Sequence, residues 1–215
     1  NNIVMDLLYF TGGECTIFPE TLKECLLISH NFGNENVLVT NGIKYFENDF
    51  IDKVMISIDG PFSVSNKYRY TKEIHENVLC NLNRYLNLYK TIIQCTIHPL
   101  NIKHYFTIKE FLNQYKVPVN YQLYSGKWFI SPDNYIDVLK DIAVNCIPAK
   151  PCVLCKNYQI CINPDSSIGI PCEIYIKNIN KKCEVWENCD QVNCKMCNKF
   201  QKKLQILKKE IACAK

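Results

Sequence analysis

Leu7-Leu8-Tyr9-Phe10-Thr11-Gly12-Gly13-Glu14 is a short apolar run that stops at two glycines and a carboxylate. The run reads as a strand, and the amphipathic segment after it, Phe18 to His30, reads as a helix closed near Gly33. Two glycines at a strand exit make a plain turn or let the backbone approach a ligand closely, and Glu14 offers a carboxylate to an ammonium group. The same layout then recurs. Asn36 to Thr40 reads as a second strand running into Val39-Thr40-Asn41-Gly42, and Lys53 to Asp59 as a third running into Ile56-Ser57-Ile58-Asp59-Gly60. Thr91 to His98 and Val119 to Tyr124 read as the fourth and fifth.

Helical patterns fill the intervals. From Asn66 to Tyr89, Ile74, Val78, Leu82, Tyr85, Leu86 and Tyr89 recur at three- and four-residue spacing. Ile102 to Tyr115 is stopped by Pro118, and Pro132 to Asn145 has Ser131 at the N-cap with Pro132 in the first turn. Strands alternating with helices predict an α/β fold with a parallel sheet and right-handed crossovers. Side-chain alternation adds which end of the strands is used. Met55, Ser57 and Asp59 share one face, as do Gln94, Thr96 and His98, and Asn120, Gln122 and Tyr124. Polar groups thus gather toward the strands' C-terminal ends, where ligand chemistry sits in a closed or partly closed α/β barrel.

Composition limits the function classes. A charged share of 21% with 12% aromatics excludes disorder, and a net charge of +4 falls short of the clustered basic excess of a nucleic-acid binder. No apolar run approaches the ~20 residues of a membrane span, and Asn1 to Leu8 lacks the features of a signal peptide. The expectation is a cytoplasmic protein with neither nucleic-acid nor membrane partners.

Fourteen cysteines in 215 residues require a chemical reason, because a chain this long folds without disulfides. Eight of them, Cys152, Cys155, Cys161, Cys172, Cys183, Cys189, Cys194 and Cys197, fall within 46 residues, where even scattering would place about three. Cys15, Cys25, Cys80, Cys95, Cys146 and Cys213 are isolated and read as small apolar side chains. The boundary falls at Ile147-Pro148-Ala149-Lys150-Pro151, giving an α/β region at 1–147 and a cysteine-rich region at 148–215. Within the tail, Asn163-Pro164-Asp165-Ser166 reads as the turn of a hairpin that ends in Pro171-Cys172. Closely spaced thiols suit metal: two 4Fe-4S clusters, one cluster with spare thiols, or zinc. Disulfides would need an oxidising compartment for which the sequence carries no signal. The last helical pattern, Phe200 to Ala212, carries Phe200, Leu204, Leu207 and Ile211 on one face and Lys202, Lys203, Lys208 and Lys209 on the other.

The succession Gly12-Gly13-Glu14, Thr40-Asn41-Gly42, Ser57-Ile58-Asp59-Gly60 and Arg69 resembles the radical S-adenosylmethionine (radical SAM) enzymes. The tail resembles the SPASM or twitch auxiliary-cluster domain of their peptide- and protein-modifying branch. The resemblance implies a partial (β/α)6 TIM-like barrel, with its first strand missing, joined to a small auxiliary domain. It assigns Gly12, Gly13 and Glu14 to the methionyl amino group of S-adenosylmethionine, and puts Ser57 and Asp59 beside the ribose and the substrate. Asn41 and Arg69 match further family positions, while Cys15 stands where the family usually has proline. The eight tail cysteines take the place of cluster ligands. Glu173 matches an acidic residue that takes a substrate proton in sulfatase-maturating relatives; read on its own, it is a solvated carboxylate at a hairpin end.

The implied activity is abstraction of hydrogen from a peptide or protein substrate by a 5′-deoxyadenosyl radical, with flavodoxin or ferredoxin as electron donor. The family's catalytic cluster is held by CxxxCxxC, and that motif does not occur in the sequence. The expectation is an N-terminally truncated enzyme, inactive alone. The alternative is a zinc-stabilised binding module or an inactive fragment.

Overall fold

The computed structural model describes residues 7–124 and 130–145, the strand segments 161–162 and 168–169, and residues 203, 206, 207 and 210. The chain divides into two compact units, Asn1–Tyr124 and Ser125–Lys215.

Five strands of the first unit pair in the order in which they occur: β1 (Leu7–Phe10), β2 (Glu35–Thr40), β3 (Lys53–Ser57), β4 (Lys90–Ile97) and β5 (Val119–Leu123). Every neighbouring pair is parallel. The connections carry α1 (Pro19–Asn31), α2 (Phe62–Ser65), α3 (Lys72–Leu88) and α4 (Tyr105–Asn113). Right-handed crossovers that always step to the next strand in the same direction place every covering helix on one face. Burial follows that rule. Leu38, Val54, Ile56, Ile93 and Ile97 are buried under the helices, whereas Met55, Ser57, Gln94 and Thr96 are half-buried and Gln122 is exposed. One face of the sheet is packed by the helices of this unit; the other, its open face, is not packed by them.

The packed face meets Leu22 and Leu26 of α1, Val78, Leu82 and Tyr85 of α3, and Ile108 and Leu112 of α4, all buried at helical spacing. Each such apolar side chain contributes roughly 2 kcal/mol by leaving water. Glycine is required where the strands exit over this core. Gly42 and Gly60 have φ of 75° and 107°, and a Cβ there would lie 2.6 Å from Ile56 Cδ1 and 2.7 Å from Ile108 Cγ1. Asn36, fully buried at the start of β2, donates to the carbonyls of Leu26 and Phe50 and accepts from Ser29, tying α1 to the sheet.

The strands agree with the sequence pattern to within two residues; the helices differ more. The pattern from Asn66 to Tyr89 predicts one helix, but α3 begins at Lys72, after Thr71 caps the Ile74 N–H. Residues 66–70 stay outside it because Tyr68, Arg69 and Tyr70 bond to the strand exits instead. The predicted helix at Ile102 likewise opens with a 3-10 turn, Ile102–His104, before α4. Asp59 leaves the face predicted for it: β3 ends at Ser57, and the Asp59 side chain is buried.

In the second unit, Ser131 accepts from the Asp133 N–H at the head of a 3-10 turn, Pro132–Tyr135, which continues into α5 (Ile136–Asn145). Val138, Leu139 and Ile142 of α5 are buried. The predicted hairpin is present as an antiparallel pair, β6 (Cys161–Ile162) with β7 (Ile168–Gly169). Lys203, Ile206, Leu207 and Glu210 are helical; Leu207 is buried and Lys203 pairs with Asp133 at 3.5 Å. No helix among the described residues is long and apolar enough to cross a membrane.

Candidate functional site

The C-terminal ends of β1 and β2 are joined by one carboxylate. Glu14 Oε1 accepts from Thr40 Oγ1 at 2.8 Å, Thr16 Oγ1 at 2.8 Å and the Thr16 N–H at 3.3 Å, while Oε2 accepts from the Asn41 N–H at 2.7 Å. A carboxylate has about four lone-pair sites, two on each oxygen, so Oε2 keeps room for a further donor. Glu14 is half-buried, and Gly12 and Gly13 beside it are exposed. A Cβ built at Gly13 would meet no atom within 4 Å. This is a backbone segment open to a ligand, with a fixed acceptor at its end.

Cys15 also contacts both strand ends. Its thiol points to the carbonyls of Phe10 and Val39, at 3.6 and 3.7 Å, and so ties the two strand ends from the other side. Burial, reinforced by the Glu14 charge, pushes the thiol from its ordinary 9.0 to about 11, which keeps it protonated.

A second carboxylate joins β3 to β4. Asp59, 2% exposed, accepts from the Thr96 N–H at 2.8 Å through Oδ1 and from Arg69 Nη1 at 2.5 Å through Oδ2. Arg69 Nε donates to the Tyr70 hydroxyl at 2.7 Å, and that hydroxyl lies 3.1 Å from the Asn41 carbonyl and 3.2 Å from the Ser57 carbonyl. Burial works to lower the Arg69 pKa, but the Asp59 charge and the Tyr70 hydroxyl outweigh it and hold it above its ordinary value. The Tyr68 hydroxyl donates to the Asp59 carbonyl and accepts from Asn101, whose Nδ2 also donates to the Thr96 carbonyl. Asp59, Arg69 and Tyr70 therefore form a latch across β2, β3 and β4.

The structure brings together Gly12, Gly13, Glu14 and Asn41 at one strand exit, and Ser57, Asp59 and Arg69 at the next, joined through Tyr70. The Asp59 carboxylate bonds protein on both oxygens, whereas Ser57 lies half-buried on the open face. Thr16, Thr40, Tyr70 and Asn101 complete the arrangement without having been singled out by sequence. Tyr70 had a signal, since it follows Arg69 directly, and Thr40 lies inside the quoted strand end. Among the isolated cysteines, Cys95 is buried as expected and Cys15 half-buried, but Cys25 and Cys80 are exposed because they fall on the outer sides of α1 and α3. Glu173 and seven tail cysteines, Cys152, Cys155, Cys172, Cys183, Cys189, Cys194 and Cys197, lie outside the described residues, and Cys161 is described in its backbone alone. Among the described residues no group of three or more His, Cys, Asp or Glu side chains is placed to hold a metal ion.

A depression of about 500 Å³, lined by Glu35, Glu47, Asp49, Asp52 and Lys90, lies at the opposite, N-terminal end of the strands. It is separate from this site, and the strand-exit geometry, not cavity size, identifies the candidate.

No family model matches the chain, and no curated protein does. Solved structures do match. Native anSMEcpe with bound AdoMet superposes with a TM-score of 0.53 at 16% identity, over 66% of this chain and 46% of that one. The same enzyme with AdoMet and a Kp18Cys peptide gives 0.52 at 16% identity over 66% and 46%. TYW1 with a lysine-pyruvate adduct gives 0.50 at 22% identity, over 66% of this chain and 51% of that one. The chain spans about half the length of these structures. The likeness is one of fold, and the parallel five-stranded α/β sheet of this chain is of the kind expected from the radical SAM resemblance.

Proposed function

We propose that this chain is part of a radical SAM enzyme of the peptide- or protein-modifying type, with AdoMet held at the exits of β1, β2 and β3. The observation that carries the reading is the Glu14 clamp: a carboxylate fixed by four protein donors, with acceptor capacity left on Oε2 beside the exposed Gly12–Gly13 backbone. Glu14 would take the ammonium of the methionyl group, Gly12 and Gly13 would let the ligand lie against the backbone, and Asn41 and Ser57 would flank it. Asp59 and Arg69 would act behind them, fixing the carbonyls of Asn41 and Ser57 through Tyr70. AdoMet held there would supply the radical for hydrogen abstraction, with the one electron this needs coming from a reduced iron-sulfur cluster.

That chemistry requires cluster ligands beyond the 215 residues, which contain no CxxxCxxC. The eight tail thiols suit, by number and chemistry, one or two auxiliary 4Fe-4S clusters, and Glu173 would serve as an acid-base group. A flavodoxin or ferredoxin would deliver the electrons. The peptide substrate is supported by anSMEcpe, solved with AdoMet and a peptide bound.

The test is calorimetric titration of AdoMet into the chain and into Gly13→Ala. A Cβ at residue 13 meets open space in the protein, so the variant should fold as well as the parent while AdoMet affinity falls about tenfold or more. Equal AdoMet affinity in the two proteins would remove the proposed site.

A further inference from the structure

The open face of the sheet changes character along its strands. Its N-terminal rows carry charge, with Glu35 paired to Lys53 and Lys90 beyond them. Its C-terminal rows carry none: Ser57, Gln94, Thr96, Asn120 and Gln122, then His98 and Tyr124 beyond the strand ends. Asp59, the carboxylate nearest these rows, is turned inward against Arg69.

Two features fix the donors and acceptors of this uncharged patch. Gln94 Nε2 donates to Gln122 Oε1 at 2.6 Å, which holds both amides and leaves Gln94 Oε1 as an acceptor and Gln122 Nε2 as a donor. His98 Nδ1 accepts from the Leu100 N–H at 3.1 Å, so the ring proton is on Nε2. The ring meets Tyr68 edge-on at 4.3 Å between centroids and Tyr124 at 6.5 Å. Burial pulls its pKa below the ordinary value, so the imidazole is neutral at pH 7.

We infer that Gln94, Gln122 and His98 form a subsite for an uncharged peptide group of the substrate, with Tyr124 as its side wall. The carbonyl is received by Gln122 Nε2 and His98 Nε2–H, and the N–H by Gln94 Oε1. An anionic group calls for charge-assisted donors and a cationic one for a carboxylate, and neither lies on these rows. A peptide group offers one donor and one acceptor and no charge. Because the two glutamines already hold each other, binding freezes few side-chain rotamers. The inference rests on the reading of the protein as a peptide-modifying enzyme, and it concerns residues that the AdoMet site does not use.

The experiment titrates the full nitrogen-15-labelled chain with the diamide N-acetylglycinamide and follows the side-chain N–H signals of Gln94, Gln122 and His98. Those signals should shift saturably with the diamide and stay in place with sodium acetate or inorganic phosphate. Gln122→Glu keeps an acceptor for Gln94 Nε2 but removes the free donor, and should weaken the diamide by about tenfold. No shift with the diamide, an equal response to phosphate or acetate, or undiminished affinity in Gln122→Glu would overturn the subsite. AdoMet is read separately, at the backbone N–H signals of Gly12, Gly13 and Asn41. Shifts with AdoMet but not with the diamide would remove this inference alone, and the reverse would remove the AdoMet reading alone.

Discussion

Glu14 and Asp59 each follow a strand, and each carries its carboxylate to the backbone of the next strand, yet the two are built differently. Glu14 reaches the Asn41 N–H at the end of β2 and is otherwise held by hydroxyls and a second backbone N–H, half-buried, with capacity left on one oxygen. Asp59 reaches the Thr96 N–H in β4 and spends its other oxygen on Arg69, out of contact with water. A neutral clamp at the surface leaves room for a ligand. A buried ion pair does not, because a charge removed from water must be matched inside the protein. The difference separates a residue that can bind from one that holds the binder in place.

The largest effect should come from breaking the buried pair. Asp59→Ala leaves Arg69 without its partner and the Thr96 N–H without an acceptor, and should cost about 3 kcal/mol in urea unfolding. Asp59→Asn retains the acceptor for Thr96 and should cost less. If both variants unfold like the parent, the latch has no structural role and the contrast with Glu14 collapses.

Glu14→Gln should destabilise the fold by only about 1 kcal/mol, since an amide oxygen still accepts from Thr16 and Thr40. Its AdoMet affinity should drop by about tenfold or more, because the NH₂ group opposes the Asn41 N–H and can no longer receive an ammonium. A stability loss as large as that of Asp59→Ala, with AdoMet affinity intact, would make the two carboxylates equivalent.

The smallest effect concerns Cys15, beside the Glu14 clamp. Its folded-state pKa is raised from 9.0 to about 11, so between these values the folded chain binds more protons than the unfolded one. Stability conferred by this thiol is fully present below pH 9 and declines as pH rises toward 11. Cys15→Ser should flatten that decline in thermal melts taken across this range. Exposed Cys25 and Cys80 should react with a thiol reagent at pH 8 well before Cys15 does.

Much of the sheet was legible in the chain because strand signals are local. The alternation of Val54, Ile56 and their neighbours, and the glycines at 42 and 60, report burial and turn conformation residue by residue. The motif Thr11-Gly12-Gly13-Glu14 likewise marked the strand exit at which the Glu14 clamp forms. The start of α3 was not legible from its apolar spacing. Tyr68, Arg69 and Tyr70 have no periodicity that excludes them from a helix, and only their bonds to Asp59, Asn41 and Ser57 pull them out of it.

By itself the sequence determined the class of fold, the order of its elements and the residues at the strand exits, since hydrophobic period, capping and glycine conformation act over a few neighbouring residues. Tertiary structure alone decided which carboxylate stays available to a ligand and which is consumed by the protein. That depends on partners 10 to 37 residues away, Thr40 for Glu14 and Arg69 and Thr96 for Asp59, brought together only when parallel strands align their exits.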